Sequence, residues 1–573
     1  MCNYTGVLPV VPAVESFTDE ERRALEPYFT NVDKPVFALT NLPEVVKGAL
    51  FARYSRSAKS ARRLFLDEFL GQVPTHAAYG STVGIERAER LYERVFNEYG
   101  DDSVAQLGGA HIACEGVSNV LTKVLERGRL MAYLEQSTRY VPYTDRAHGG
   151  RWKYHVPKEI ERHRLREEYS AALDPAFETY GHWLERLQQY FQERHARAPG
   201  DSEALYRATI RAKALDTLRG LLPAATRSNV GIYASGQAFE TLLLHLRVHP
   251  LAEARQCGES MLRELRKVMA AFLVRVDRPE RGGRWSHYLA QTRDDTGAVA
   301  AQVLKSEVPE AHAEPDDVAL TDWDPDGELK VVAAALYPSS NLSERQLLGI
   351  ARRMTTEDRI GVLRAYVGNR ANRRHKPGRA FERTSYCFDI LSDYGAFRDL
   401  QRHRLLTIDW QELTPYHGHV MPAAIEEVGG ASEWTAVMER TAEAYEKIRS
   451  ATSSLVAQYV VPLAYRIRFY MHLNAREAMH VIELRTAAQG HPAYRRICQK
   501  MLDLVAERAG HQAIAESMKF ADRSEVELER LQAERQADKR RPIQQFRLFS
   551  NELTDPDTDS SGPPAHPAAL PDS

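Results

Sequence analysis

Three consecutive basic residues, Arg402-His403-Arg404, place two permanent cations and a titratable imidazole at the end of a helical pattern. Guanidinium groups match phosphate oxygens in a bidentate geometry, so a nucleotide or a pyrophosphate is a natural ligand for this segment. The same residue types also occur on solvated surfaces and in ion-pair networks. The run therefore needs support from the rest of the sequence before it indicates a binding site.

The first half of the chain contains a related segment. Arg127-Gly128-Arg129 is followed after seven residues by Ser137, which lies inside the sequence YLEQSTRY at Tyr133–Tyr140. This sequence offers a carboxylate, a hydroxyl, a cation and an aromatic ring close together, as a loop that binds an anionic nucleotide would. A polar surface turn is the alternative. Ser137 has no His or Asp partner nearby, so we expect it to donate a hydrogen bond rather than to act as a nucleophile.

Two further segments recur in the same order in both halves, which indicates an internal repeat. Each half has an apolar stretch with a proline, at Pro223 and at Pro462, followed by a helical pattern that ends in Leu-Arg. These helical patterns span Gly236–Arg247 and Asn474–Arg485. Asn474 and Arg485 are eleven residues apart, and at about 100° per residue they fall on one helix face and can line one cleft. The positions with the spacing of a buried stripe in this helix are Ala475, Ala478, Met479 and Ile482.

The composition limits the partners that the chain can have. The 76 basic side chains nearly balance the 78 acidic ones, so there is no general attraction to nucleic acid or to an anionic membrane. The five cysteines have no metal-ligand spacing, and the pair His417 and His419 lacks a third ligand, so we expect no metal site. Neither a leader nor a long apolar span is visible. We therefore expect a cytoplasmic protein with no nucleic-acid or membrane partner.

Alternating strand and helix patterns favour an α/β or α+β fold. The acidic, proline-containing segment Ser306–Gly327 reads as a linker or a surface loop. The interval from the Arg-x-Arg to the Leu-Arg is longer in the first half, which we attribute to an insertion after Tyr140. The predicted organisation is an N-terminal extension at 1–29, a first domain at 30–275, a linker at 276–327, a second domain at 328–520, a charged helix at 521–550 and a disordered tail at 551–573.

The pattern Arg-His-Arg, seven residues and Ser, within a longer run that includes Glu-x-Ser-x-Arg-Tyr, resembles the signature of the flavin-dependent thymidylate synthases. The Asn-Ala-Arg helix that ends in Leu-Arg resembles the second functional segment of that family. The resemblance implies two tandem copies of the family's domain, each an antiparallel sheet packed with helices, in the α/β (α+β) class. Family members are homotetramers with sites between subunits, so the resemblance implies a homodimer of this chain that forms a four-domain pseudo-tetramer.

Each copy departs from the family pattern, and the departures are complementary. In the first copy, Gly128 replaces the motif histidine, and Gly236-Gln237-Ala238 stands where the family has Asn-Ala-Arg. In the second copy, Gln458 stands where the first has Arg219, and the nucleotide loop is lost at Trp410, Glu412, Thr414 and Pro415. The resemblance therefore implies one intact composite site per chain. The sequence leaves open whether the two halves of that site come from one chain or from two.

The resemblance also assigns roles to residues. Its implied flavin contacts are Arg402, His403, Arg404, Glu135, Glu382, Asn474, Arg476 and His480. Its implied nucleotide contacts are Glu135, Gln136, Ser137, Thr138, Arg139, Arg219, Arg402 and Arg485. Arg485 is the expected catalytic residue, which would polarise the uracil ring. Two positions depart from the family: Arg379, where a small hydroxyl residue is expected, and Asp399, where the family often has a nucleotide-binding glutamine.

The implied reaction is the reductive methylation of dUMP to dTMP, with FAD as cofactor and with NADPH and 5,10-methylenetetrahydrofolate as co-substrates. It needs no cysteine nucleophile, which agrees with the unpatterned cysteines. Two alternatives remain open at this point. One is a flavin-dependent enzyme that modifies another pyrimidine nucleotide. The other is a non-catalytic, nucleotide-binding scaffold.

Overall fold

The computed structural model describes residues 15–42, 50, 54, 57–70, 109–147, 149–161, 164–199, 201–307 and 317–524. Within these residues, the strands form two four-stranded antiparallel sheets packed with helices, which confirms the predicted fold class. The strands in chain order are β1 Val36–Ala38, β2 Gly109–Ser118, β3 Met131–Glu135, β4 Arg227–Ser235, β5 Val318–Trp323, β6 Ser385–Asp393, β7 Thr407–Trp410 and β8 Arg466–Asn474.

Both sheets have the same architecture. The first has the strand order β1-β2-β4-β3, and the second has the order β5-β6-β8-β7. We refer to the part of the chain up to residue 307 as the first repeat and to residues 317–524 as the second repeat. The equal strand orders confirm that the chain is built from two tandem copies of one domain.

The helices complete the two repeats. In chain order they are α1 Asp19–Leu25, α2 Ala61–Leu64, α3 Asn119–Leu125, α4 Lys158–Glu161, α5 Leu165–Arg194, α6 Glu203–Leu218, α7 Gly236–Arg247, α8 Ala252–Leu273, α9 Arg284–Val303, α10 Gly327–Leu336, α11 Glu344–Arg353, α12 Thr356–Val367, α13 Tyr394–Leu400, α14 Ala423–Glu427, α15 Ala431–Ala451, α16 Ser454–Ala457, α17 Ala475–Arg485, α18 Pro492–Glu507 and α19 Gln512–Ser517. None of these helices has the length and hydropathy needed to cross a lipid bilayer.

Two apolar patterns of the sequence correspond to buried surfaces. Tyr386, Phe388 and Ile390 occupy every second position of β6 and are buried. The predicted stripe of α17 is completely buried at Ala475, Ala478, Met479 and Ile482. Asn474 caps this helix, since its side-chain oxygen accepts a hydrogen bond of 2.9 Å from the backbone N–H of Glu477.

Two of the predicted segments carry regular structure. The segment 276–327, predicted as a linker, contains α9 and the whole of β5. Val318 and Leu320 in β5 are buried against β6, so two apolar residues at strand spacing are sufficient to add this acidic segment to the sheet edge. In the described part of the predicted extension, residues 15–29, Leu25 and Phe29 are buried in an apolar cluster with Phe37 of β1. The predicted tail at 551–573 and all but the first residues of the predicted charged helix at 521–550 lie outside the described residues.

The extra length of the first repeat is not a single insertion after Tyr140. The helix α5 has 30 residues where its counterpart α15 has 21. The next helix, α6, has 16 residues where α16 has 4. The additional residues therefore lengthen existing helices as well as the loop.

The repeats are joined through the two proline segments. The backbone N–H of Ala224 donates to the carbonyl of Val461 at 2.8 Å, and that of Leu463 donates to the carbonyl of Leu222 at 2.9 Å. Buried apolar residues of both repeats form one continuous cluster around this junction. The two proline segments thus mark the local twofold axis between the repeats.

A buried ion pair fixes the end of α17 that carries Arg485. Arg370 donates two hydrogen bonds to Glu483, at 2.7 and 2.5 Å, and both side chains are 1% exposed. Such a pair contributes little over an apolar alternative, but loss of one partner leaves a buried charge uncompensated.

Replacement of Glu483 by alanine should therefore lower the free energy of unfolding by about 3–5 kcal/mol. Urea unfolding followed by circular dichroism measures this loss. The control is Glu203→Ala, which removes the partner of Arg207 from an exposed ion pair and should cost less than about 1 kcal/mol. Equal losses in the two variants would contradict the role of the buried pair.

Candidate functional site

The site lies where α3 of the first repeat meets α13 of the second. Tyr394 donates from its hydroxyl to the carbonyl of Asn119 at 3.2 Å. The side-chain amide of Gln401 donates to the carbonyls of Lys123 and Glu126, at 3.4 and 3.2 Å. These contacts bring the end of α13, with its arginines, next to the end of β3 and the loop that follows it.

A buried ion pair connects the two repeats at this point. Arg398 of α13 donates to Glu135 Oε1 at 2.5 Å, and Lys123 Nζ lies 3.3 Å from Glu135 Oε2. Burial by itself would raise the pKa of Glu135, but the cations of Arg398, Lys123 and Arg402 lower it to about 2. Glu135 is thus a buried anion whose main partner comes from the other repeat.

Asp399 is the centre of a cluster of guanidinium groups. Arg402 donates to Asp399 Oδ1, Arg485 Nη1 lies 3.5 Å from the same oxygen, and Arg219 Nη1 lies 3.6 Å from Oδ2. Burial would raise the pKa of Asp399, but Arg402, Arg485, Arg219 and Arg139 hold it well below its usual range. Arg219 and Arg139 belong to the first repeat, and Arg402 and Arg485 to the second.

Arg139 completes the cluster from the loop after β3, residues 136–140, which we call the nucleotide-type loop. Its Nε atom lies 2.8 Å from Asp216 Oδ1, and its Nη1 atom donates to the carbonyl of Gln489 at 3.3 Å. The guanidinium carbons of Arg139 and Arg485 lie 5.8 and 5.4 Å from the centre of the Tyr494 ring. One aromatic ring therefore supports a cation from each repeat.

The cluster has hydrogen-bonding capacity that the chain does not use. Arg139 Nη2, Arg219 Nη2 and Arg402 Nε are buried donors without a hydrogen-bond partner in the described part of the chain. The four guanidinium groups face the carboxylates of Asp399 and Asp216, with Glu135 near Arg402 and Asp393 near Arg219. Unpartnered buried donors are costly, so this arrangement is suited to an anionic ligand.

His403 orients Arg485. The Nε atom of Arg485 donates to His403 Nε2 at 2.9 Å, so the proton of the neutral imidazole must lie on Nδ1, which faces Glu477 Oε1 at 3.6 Å. Burial lowers the pKa of His403 to about 4. Burial raises the pKa of Glu477, but its bonds to His403 and His480 lower it to about 2.

His403, Glu477 and His480 are also the one group of the described residues with the spacing of metal ligands. His403 presents no free lone pair, because Nε2 accepts from Arg485 and Nδ1 carries the proton. We interpret the group as a hydrogen-bonded chain that holds Arg485, with His480 Nδ1 at 3.2 Å from Glu477. The expected absence of a metal site stays a prediction.

The remaining predicted residues divide between the cluster and its surroundings. Arg404 donates to the carbonyl of Met131 across the repeat interface. Gln136 donates to the carbonyl of Ser57 at 2.7 Å, Ser137 Oγ accepts from the N–H of Arg139 at 3.4 Å, and Thr138 is buried. Arg404, Gln136, Ser137 and Thr138 therefore belong to the surroundings of the cluster.

A separate group lies at the start of α17. Arg476 donates to the carbonyl of Pro377 at 2.9 Å and lies 3.4 Å from Glu382, which also pairs with Arg379 at 3.0 Å. Arg476 and Arg485 are about 14 Å apart along the helix axis. The structure thus brings Glu135, Arg139, Arg219, Arg402, His403 and Arg485 together and leaves Arg476 and Glu382 at a distance from them.

The described residues at the equivalent location, on the other side of the local twofold axis, form no such cluster. Strands β4 and β8 have equal lengths, so the cap Ser235 corresponds to Asn474 and Leu246 to Arg485. The matching of Gly236 with Asn474 is therefore wrong by one residue. Here Arg127 and Arg129 contact Asp409 and Thr407 on the surface, at 3.3 and 2.9 Å.

Several contributors to the site escaped the sequence reasoning, namely Lys123, Asp216, Arg398 and Tyr494. Arg398 precedes Arg402 by one helical turn, and Asp216 precedes Arg219 by three residues, so helical spacing was an available signal for both. Tyr494 had no such signal, because only the packing of α18 brings its ring between two arginines.

Comparison with known proteins agrees with the two-repeat organisation. The sequence profile of the family described as thymidylate synthase complementing protein matches residues 50–270 and 319–510. A UPF0159 protein of Chlamydia muridarum (strain MoPn / Nigg) is 39% identical over 528 residues, which cover 90% of this chain and 98% of the relative. A UPF0159 protein of Thermoplasma acidophilum is 30% identical over 514 residues, which cover 85% and 97%. A flavin-dependent thymidylate synthase of Clostridium tetani is 26% identical over 198 residues, which cover 33% of this chain and 74% of that relative.

Acid should destabilise the protein through His403. Its pKa is about 4 in the folded protein and 6.5, its ordinary value, in the unfolded chain. Between these pH values the unfolded chain binds a proton that the folded protein does not. The stability that neutral His403 contributes is therefore complete above pH 6.5 and is lost as the pH falls. The free energy of unfolding should be lower by roughly 2 kcal/mol at pH 5. Urea unfolding at pH 7.5 and pH 5 should show a smaller loss for His403→Gln than for the wild type. His287→Gln, on the exposed surface of α9, is the control, and an unchanged pH dependence in His403→Gln would refute the assignment.

Proposed function

The chain belongs to the family of thymidylate synthase complementing proteins, and from this premise we propose that it is an FAD-dependent thymidylate synthase with one composite site between its two repeats. The observation that carries the proposal is the arginine cluster at Asp399. Arg139 and Arg219 enter it from the first repeat, and Arg402 and Arg485 enter it from the second. The proposed substrate is dUMP, and the proposed product is dTMP.

The phosphate of dUMP is the group that suits the unused donors. Arg139 Nη2, Arg219 Nη2 and Arg402 Nε are buried and converge from both repeats. A guanidinium group binds phosphate oxygens through charge-assisted hydrogen bonds, which are about twice as strong as neutral ones. Ser137 and the surrounding loop would add hydrogen bonds to the sugar and phosphate.

Arg485 is suited to act on the pyrimidine ring. It is held on one side by His403 Nε2 and on the other by the carbonyl and carboxylate of Asp399. A cation fixed in this way needs no reorganisation when negative charge develops on the ring. It would favour the polarised pyrimidine, whose C5 atom reacts with the one-carbon unit.

The start of α17 also fits the flavin that the family implies, since FAD carries an anionic pyrophosphate and Arg476 supplies a partly exposed cation there, apart from the cluster at Asp399. The residues proposed to hold it are Arg402, His403, Arg404, Asn474, Arg476 and His480, together with Glu135 and Glu382. When bound, the flavin supplies hydride chemistry, for which NADPH is the proposed reductant and methylenetetrahydrofolate the proposed one-carbon donor.

The thiol of Cys498, which neighbours Arg485, is unsuited to nucleophilic catalysis. Cys498 is buried, and burial raises its pKa to about 12 despite the neighbouring Arg485. The thiolate is the nucleophilic form of cysteine, so Cys498 is inert at neutral pH. This supports a route without an enzymic cysteine nucleophile.

Asp399 favours one alternative, a flavin-dependent modification of another pyrimidine nucleotide, because its carboxylate stands where the family often has glutamine. The absorbance spectrum of the purified protein separates the two flavin-dependent enzymes from the colourless scaffold. A titration with dUMP then separates thymidylate synthesis from the modification of another nucleotide. We further propose that the protein is cytoplasmic and that two chains form a homodimer with four domains.

Replacement of Arg485 by alanine should lower the turnover of dUMP to dTMP by about 10²–10³-fold, the usual cost of removing a fixed electrostatic donor. Product formation is measured by chromatography with saturating co-substrates. The control is Arg247→Ala, because this arginine ends α7 in the same sequence context but pairs with Asp277 at the surface. The control should retain wild-type turnover. A comparable loss in both variants would count against the role of Arg485.

A mixing experiment tests whether the site forms within one chain. Arg139 and Arg485 lie over the same Tyr494 ring within one chain. If the site forms within one chain, each of the variants Arg139→Ala and Arg485→Ala therefore lacks one arginine in every site. An equimolar mixture of the two variants, unfolded and refolded together, should remain as inactive as either alone. Recovery of a quarter or more of the wild-type turnover would show that the two halves come from different chains.

A further inference from the structure

The carboxylate of Asp399 occupies the position at which the guanidinium groups converge. Both of its oxygens face cations, with Arg402 and Arg485 at Oδ1 and Arg219 at Oδ2. Its side chain is 14% exposed, and its pKa is held well below the usual range against the effect of burial, so it is an anion at neutral pH. Asp399 therefore acts as an internal counter-ion in the centre of the proposed substrate site.

This counter-ion leaves the cluster with a limited positive charge. The four arginines Arg139, Arg219, Arg402 and Arg485 are offset by Asp399 and by Asp216, which pairs with Arg139. Two further carboxyl groups lie at the cluster, namely Asp393 beside Arg219, whose pKa is raised by burial, and Glu135, which faces Arg402. Burial, together with the cations of Arg219 and Arg139, holds the pKa of His491 well below its usual range, so this neighbour adds no charge. The carboxylates thus offset part of the positive charge of the arginines, and a phosphate monoester brings a charge of about −1.5 to −2 to the remainder at neutral pH.

A second phosphate group would bring additional negative charge towards the same centre. Asp399 already accepts a hydrogen bond from Arg402 and forms ion pairs with Arg485 and Arg219, and such a group would compete for these cations. Juxtaposed like charges at a binding interface weaken binding, which is how repulsive elements create specificity. A neutral side chain at this position would release those cations.

We propose that Asp399 is a specificity-determining residue that restricts the composite site to nucleoside monophosphates and excludes nucleoside diphosphates. The inference rests on the proposed function, because it takes the arginine cluster as the site of the substrate phosphate. It adds a reason why this chain has a carboxylate in the cluster, namely discrimination by ligand charge. The matched neutral replacement is Asp399→Asn, which keeps the shape of the side chain.

The test is calorimetric titration of the full-length protein with dUMP and with dUDP. The wild type should bind dUMP at least about tenfold more tightly than dUDP, and Asp399→Asn should reduce the ratio of the two dissociation constants by about tenfold. The control is Asp409→Asn, which removes the same charge from the exposed partner of Arg127 outside the cluster and should leave the ratio unchanged. A ratio of affinities is insensitive to a general weakening of the site.

The outcomes separate this inference from the proposed function. If the wild type binds no dUMP, the proposed function fails and the inference fails with it. If dUMP binds and Asp399→Asn keeps the wild-type ratio, the inference alone is overturned. Circular dichroism checks the fold of each variant. Asp399→Gln, a second neutral replacement, must change the ratio in the same direction, and an unchanged ratio in that variant also overturns the inference.

Discussion

Two buried carboxylates, one from each repeat, bind guanidinium groups of the opposite repeat. Glu135 of the first repeat pairs with Arg398 of the second, and Asp399 of the second pairs with Arg219 of the first. A buried charge without a partner is strongly destabilising, so each repeat needs the counter-charges that the other supplies. This reciprocal pairing fixes the positions of the nucleotide-type loop and the arginine cluster relative to each other.

The tandem arrangement allows the two repeats to differ. In a symmetric assembly of identical subunits, every site has the same residues. In one chain with two copies, each copy can change separately. Gly128 and Leu246 of the first repeat stand at the positions of His403 and Arg485 in the second. Gln458 of the second repeat stands at the position of Arg219 in the first. At the equivalent location, Tyr459 instead donates to Glu253 at 2.7 Å. The interface of the repeats is thus preserved on both sides of the local axis, while the described residues form the cation cluster on one side.

Electrostatic preorganisation is the property that connects the cluster to chemistry. The chain from Glu477 through His403 to Arg485 sets the tautomer of the imidazole and the direction of the guanidinium group. Because burial keeps His403 neutral, its Nε2 atom remains an acceptor across the neutral pH range. Arg485 is therefore oriented by groups whose charge stays the same across the neutral pH range.

The sequence by itself determined the repeated architecture, the buried stripe of α17 and the complementary losses in the two copies, because these follow from short-range periodicity and residue identity. It did not determine that β5 completes the second sheet, that Ser235 rather than Gly236 corresponds to Asn474, or that Tyr494 supports Arg139 and Arg485. The pairs that build the site are far apart in the chain, as Glu135 and Arg398 are, at a separation of 263 residues. Only tertiary packing brings such residues together, since the energy that selects these pairs comes from charges and apolar surfaces buried after the two repeats have met.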